Sequence, residues 1–184
     1  ENRWVTILFA DLSAYSTITE NMSPEVALEF LNEYFTKMHD VIKEFDGHTL
    51  NYIGDAVMVV FGAPISREDD AARAVKTAIG MVESLKKFNK KRIDKGKVPV
   101  NAGIGINKGK VISGNIGSKD QMDYTVIGDT VNLGARLCSF AGPLKIIISK
   151  SVQGEIGGDF KTRKLEAIKV KGKRKPVEIF KVLT

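Results

Sequence analysis

The chain has a single cysteine, one tryptophan and two histidines among 184 residues. One cysteine builds no disulfide framework, so Cys138 is read as a buried thiol in a reducing compartment. Neither His39 nor His48 has a spaced Cys or His partner. That excludes a zinc site of the usual ligand spacing and leaves a Ser-His-Asp nucleophile without support. No apolar run approaches the roughly 20 residues needed to cross a bilayer, and no leader-like segment precedes the first strand. The chain opens almost directly on strand-like sequence, as a fragment of a longer protein would. A regulatory or membrane domain of the parent would then lie outside it, and this part is expected to be cytoplasmic. Repeats, low-complexity tracts and linkers are missing too, so residues 1–184 are expected to form one domain.

Charge of one sign is in slight excess, at +6. It gathers in KKFNKKRIDKGK (86–97) and KVKGKRK (169–175). Neither stretch interleaves aromatic residues, Phe88 apart, as single-strand nucleic-acid binders do, so no nucleic-acid partner is expected. The first stretch reads as a solvated helix end and turn.

Apolar spacing orders the elements. WVTILFA (4–10) is a buried strand ending at Asp11. Ser23-Pro24-Glu25 caps a helix to about Phe45, with Gly47 as its stop. Residues 48–53 and 56–61 form a hairpin across Gly54-Asp55, and a second long helix spans about 68–93. Strands are expected at 99–107 and 110–116, split by a turn at Asn107-Lys108-Gly109, and at 123–127. Gly128-Asp129-Thr130 opens a helix of about ten residues. A strand at 144–148, a short helix, and strands near 160–170 and 177–183 close the chain. Long crossovers beside tight hairpins predict an α+β sandwich, with helices on one face of a mostly antiparallel sheet. GIGINKG puts Lys108 where a dinucleotide fingerprint needs glycine and lies between strands, which argues against a doubly wound fold.

Asp11 at a strand end and Asp55 at a hairpin tip can stand side by side at one sheet edge. Two hard oxygen ligands completed by phosphates and water are how proteins usually hold Mg²⁺. A hairpin tip also favours Gly-Asp for its turn geometry alone. In DYTVIGDTVNLGAR (123–136), Asn132 and Arg136 stand one helical turn apart and share a face. Gly134 and Ala135 between them leave room for a ligand. A neutral hydrogen-bonder beside a fixed cation suits a phosphoryl transition state, and an exposed helix face accounts for the pair equally well.

Four strings, FADLSAYS, NYIGDAVMVVFGAP, REDDAARAV and DYTVIGDTVNLGAR, resemble the catalytic domain of the class III nucleotide cyclases in order and spacing. The resemblance runs from Thr6 to the KVKGKRKPVEIFKV tail. It implies a ferredoxin-like α/β sandwich, synthesis of cyclic AMP or cyclic GMP, and active sites shared across a head-to-tail homodimer. By resemblance, Asp11, Asp55 and the Leu12 carbonyl would hold two Mg²⁺ or Mn²⁺ ions. Ala14, Tyr15 and Ser16 would cradle the phosphates, Arg67 would grip the triphosphate, and Lys171 or Lys173 would reach it from the tail. Asn132 and Arg136 of the partner protomer would orient the ribose and stabilise the transition state.

Two departures stand out. Ala14 replaces the family's usual glycine, adding a Cβ where a positive φ would be free of cost. Asn51 stands where adenylyl members carry Lys and guanylyl members Glu, while Thr125 fits the adenylyl pattern. Asn51 has both an amide donor and a carbonyl acceptor, so it can meet either purine. The expected substrate is ATP, the alternative a guanylate or relaxed-specificity cyclase. An inactive nucleotide-binding or dimerisation module is the rival from another class, although the metal, transition-state and phosphate positions all carry the expected residue types.

Overall fold

A computed structural model of the protein describes residues 1–13 and 15–184, with the backbone alone for residues 51–53. The chain runs through β1 (Asn2–Ser13), α1 (Tyr15–Thr19), α2 (Pro24–Glu44), β2 (His48–Ile53), β3 (Ala56–Phe61) and α3 (Asp70–Asp94). It continues through β4 (Asn101–Ser118), β5 (Gln121–Ile127), α4 (Asp129–Phe140), β6 (Ile146–Ser149), α5 (Lys150–Ile156), β7 (Thr162–Lys164) and β8 (Ile179–Val182). Among the described residues the strands form one sheet in the order β2-β3-β1-β4-β6-β8-β7, with β5 paired to the far half of β4. Every named pairing is antiparallel except that of β4 with β6. The expected α+β class and mostly antiparallel sheet are what the chain adopts.

Helices cover both faces, however, where one was expected. On β1, Leu8, Ala10 and Leu12 pack with α2, α3 and α5. The alternate residues Val5, Ile7 and Phe9 pack with Met58, Val60 and Cys138 of α4. The run from Val5 to Ala10 is buried at every position. Such continuous burial is what a strand covered on both sides requires, so the unbroken run WVTILFA already carried this information.

Glycines on β4 set how closely α4 approaches. A Cβ on Gly105 would lie 2.7 Å from the Gly134 carbonyl oxygen and meet the backbone of Cys138. Backbone cannot yield as a side-chain end can. Gly105→Ala is therefore expected to destabilise the protein by about 1–3 kcal/mol, the usual range for an overpacked core. Gly114→Ala on the same strand has nothing within 4 Å of the added carbon and serves as the control. Thermal unfolding of the two variants checks this, and equal midpoints would contradict the close packing of α4.

The first long helix begins as expected: Ser23 accepts from the Val26 amide at 3.3 Å and Pro24 follows. Phe30, Tyr34, Met38 and Ile42 form its buried stripe. Its stop differs. Asp46 takes the left-handed conformation, with φ 56°, not Gly47. Gly47 is required for space, because a Cβ there would lie 2.7 Å from Val59 and 2.9 Å from Phe61.

The expected hairpin at Asn107-Lys108-Gly109 is absent, and β4 passes straight through it as one strand of 18 residues. The polar residues there serve tertiary contacts. Asn107 is buried and donates to the Thr130 carbonyl at 3.0 Å, Lys108 pairs with Glu155 at 2.9 Å, and Gly109 makes room for the Thr130 side chain. The turn lies instead at Lys119-Asp120, between the paired Ser118 and Gln121, so β5 starts two residues early. In the tail, the strands expected near 160–170 and 177–183 shorten to β7, β8 and a single bridge from Ile168 to Val177.

Candidate active site

Asp11 and Asp55 come together at the end of β1. Asp11 pairs in register with Ala56, and the Leu12 amide donates to the Asp55 carbonyl at 3.5 Å. Gly54 supplies the turn with φ 62°, a conformation that disfavours other residues, and so sets Asp55 at the hairpin tip. The two carboxyls stand close enough for the charge of Asp55 to act on Asp11. Asp11 Oδ1 is buried and no donor among the described residues reaches it. Burial first, and then the charge and reach of Asp55, push the Asp11 carboxyl above its ordinary pKa, with the Leu12 amide opposing them. A buried oxygen without a donor beside a like charge is an arrangement that a cation relieves, so the donor set fits a divalent ion. No group of three or more His, Cys, Asp or Glu gathers among the described residues. A cation at the pair would draw its other ligands from backbone, water or phosphate.

Leu12 itself points its side chain into the core, leaving only its backbone for the site. Tyr15 and Ser16 open α1, with Tyr15 packed on the core and Ser16 exposed. Ala14 lies outside the described residues, as does the side chain of Asn51, whose backbone sits opposite Met58 after a register shift in β2. Thr125 pairs with Gly114 and is half-buried.

On α4, Gly134 seats the helix, since a Cβ there would lie 3.2 Å from the Phe9 ring. Asn132 and Arg136 are exposed, and neither side chain has a hydrogen bond or ion pair among the described residues. The tail lysines separate clearly. Lys173 pairs with Asp129 at the start of α4, while Lys171 stands exposed.

Arg67 is not brought to the carboxylates within the chain. It lies with Ser66 beside Trp4, Val5 and Thr6, five strand residues from Asp11, or about 17 Å along β1. Its guanidinium meets Asp46 at 3.2 Å and its amide donates to Asp70 at 3.1 Å. The string REDDAARAV is occupied with holding elements together. Arg73 pairs with Asp70 at 2.5 Å and with Asp69 at 3.0 Å, and also donates to the Phe45 carbonyl at the end of α2. No residue spacing announced that staple, although an Asp-Arg pair at i, i+3 on a helix was its visible trace.

Beyond the helices, β1 and the β4–β5 ribbon expose one apolar stripe. Trp4, Ile112, Ile116 and Ile127 are 55%, 54%, 45% and 47% exposed. The register Ile112↔Ile127 and Gly114↔Thr125 puts Thr125 on the same face. Exposed apolar stripes of this kind commonly mark interaction surfaces.

Residues 1–183 match the family described as Adenylate and Guanylate cyclase catalytic domain. The chain belongs to this family. The crystal structure of the adenylyl cyclase CyaB from P. aeruginosa superposes with a TM-score of 0.96 at 32% identity, covering 100% of this chain and 95% of that one. The guanylyl cyclase Cya2 gives 0.91 at 37% identity, covering 99% and 92%. An adenylate cyclase of Anabaena cylindrica is 35% identical over 98% of this chain. The chain spans only 37% of the length of that relative. No described helix is long and apolar enough to cross a membrane.

Proposed function

We propose that the protein is an adenylate cyclase, converting ATP to 3′,5′-cyclic AMP and pyrophosphate at sites completed by a second copy of the chain. The observation that carries this reading is the Asp11–Asp55 pair at one sheet edge, with a buried oxygen that no donor among the described residues reaches. Asp11, Asp55 and the Leu12 carbonyl would hold Mg²⁺ or Mn²⁺, two ions per site. When bound, such ions lower the pKa of the ribose 3′-OH and neutralise the triphosphate.

The chain's own residues supply position and charge. Arg136 meets the charge that grows on the α-phosphate as the 3′-OH attacks, and Asn132 orients the ribose. Both are free on the exposed face of α4, as residues that serve a partner's site should be. Lys173 is anchored at the start of that same helix by Asp129, which favours it over Lys171 as the tail residue that reaches phosphate. The stripe of Trp4, Ile112, Ile116 and Ile127 supports a second copy as its cover. In a head-to-tail homodimer each pocket then takes Asp11 and Asp55 from one protomer, and Asn132 and Arg136 from the other.

A guanylate or relaxed-specificity cyclase is the second reading, because Asn51 replaces the purine-selecting Lys and offers both a donor and an acceptor. Purified protein with Mn²⁺ or Mg²⁺, given ATP and GTP separately, distinguishes them by product. Activity should favour ATP and rise faster than linearly with protein concentration. No product from either nucleotide at high concentration would leave a binding module. Asn51→Lys should raise the preference for ATP over GTP by about tenfold or more, the discrimination available to one charge-assisted hydrogen bond. An unchanged ratio would remove Asn51 from base reading.

A further inference from the structure

Between α1, the start of α2 and the turn after α3 lies a cavity of about 560 Å³, away from the carboxylate pair. Ile18, Met22 and Val26 give it an apolar wall, and Glu29, Glu33 and Lys97 line it too. Arg92 lines it and is only 8% exposed. The Arg92 guanidinium is sandwiched between two rings, 5.0 Å from the centre of Phe30 and 5.7 Å from that of Phe88. Its Nε donates to the Val98 carbonyl at 2.8 Å, which ties down the turn. Neither terminal nitrogen has an acceptor, and no ion pair forms, among the described residues. The charge of Glu33 in the same lining acts on Arg92 without forming an ion pair, so the terminal nitrogens keep room for a closer anion, and a turn-stapling role accounts for Nε alone.

We propose that this cavity binds a small organic monoanion, a carboxylate with a short aliphatic body. The head would meet the free edge of Arg92, and the body would lie against Ile18, Met22 and Val26. The volume falls within the range of about 300–1,000 Å³ typical of small-molecule sites. Glu29 and Glu33, both exposed, stand in the same lining and disfavour multiply charged anions, so a triphosphate is a poor occupant. Thr17 and Ile18 belong to α1, which follows the Asp11–Leu12 strand end almost directly, and Ile18 packs on the core that contains Leu12. An occupant therefore bears on the segment beside the first carboxylate.

The proposal is independent of the cyclase reading and is tested by binding. Sodium hexanoate is titrated into the full chain, with hexan-1-ol as the neutral counterpart, and methyl and arginine side-chain NMR shifts are followed. Hexanoate should give saturable shifts at Ile18, Met22, Val26 and Val98, with an affinity at least about tenfold above that of hexanol, the ratio expected of one charge-assisted contact. Arg92→Gln should bring that ratio to about one. Because Arg92 also anchors the turn, Val26→Trp is the second variant. It fills the cavity from a position that is 48% exposed, leaves Arg92 in place and should abolish the hexanoate shifts. Absence of saturable shifts, equal affinity for the two probes in the unaltered protein, or shifts that persist in Val26→Trp would overturn the proposal.

Discussion

Asp55→Asn is expected to lower cyclic nucleotide formation by at least about 10³-fold and, in the metal-free protein at neutral pH, to raise the thermal midpoint. The two effects have one origin. The Asp11 carboxyl is pushed above its ordinary pKa by burial and then by the charge of Asp55. A carboxyl whose folded pKa exceeds its unfolded value contributes stability fully below the unfolded pKa, and that contribution is lost as pH rises through the folded pKa. The metal-free protein should therefore lose stability as pH climbs from about 4 through the raised value of Asp11. Replacing Asp55 by the neutral isostere removes the second cause of the shift and moderates that loss. Each recovery of about 1 kcal/mol corresponds to ~2–4 °C in a chain of this size. Divalent ions should do for the unaltered protein what the substitution does, by screening the pair, and should do little for the variant. Calorimetry at several pH values, with and without Mn²⁺, tests this together with product assays. An active Asp55→Asn enzyme would remove the carboxylate from the site. A variant that was less stable at neutral pH, yet inactive, would mean that Asp55 holds the hairpin and that loss of activity reflects loss of fold.

Much of this arrangement was legible in the sequence, for reasons that differ by element. The Gly54-Asp55 turn and the Ser23-Pro24 cap are local chemistry, settled within four residues, and both stand where their residues indicated. Asn107-Lys108-Gly109 has the composition of a turn, and its strand continuity depends on Thr130 and Glu155, which no local window contains. Gly47 likewise looked like a helix stop because glycine often is one. Its role is decided by Val59 and Phe61 across the layer. The nearness of Asp11 and Asp55 was visible because strand ends and hairpin tips fall on the same edge of an antiparallel pair. Arg67, expected to grip the triphosphate, meets Asp46 within its own chain, at a distance from Asp11. Its neighbours Asp69, Asp70 and Arg73 clamp the end of α2. Asn132 and Arg136 were placed on one helix face by spacing alone, and neither side chain has a partner among the described residues. A residue that served another copy would leave no contact in its own, so the proposed role of the pair has no trace within one protomer.

That separation supports the second large prediction. Arg136→Ala alone should lower product formation by about 10²- to 10³-fold with little change in KM for the nucleotide, because its charge is needed where negative charge develops. Little structural cost is expected, since the side chain is exposed and has no partner. Mixed with Asp55→Ala, itself inactive, Arg136→Ala should regain activity. In a mixed dimer one pocket collects both lesions, while the other receives intact Asp11 and Asp55 from one protomer and intact Asn132 and Arg136 from its partner. With random pairing half of the dimers are mixed and each has one sound pocket, so recovery should approach about a quarter of the unaltered rate. Recovery should also fall on dilution as protomers separate. Pockets contained within single chains would give no recovery at any ratio, since neither variant then holds a complete set. An Arg136→Ala protein that kept full activity would place the transition-state cation elsewhere. Substitution of Ile112 or Ile127 by Asp on the exposed stripe should lower recovery and unmixed activity together, because both need the same interface. Recovery and unmixed activity that both survived would point to pairing through another surface, so the stripe and the shared pocket are tested in one titration.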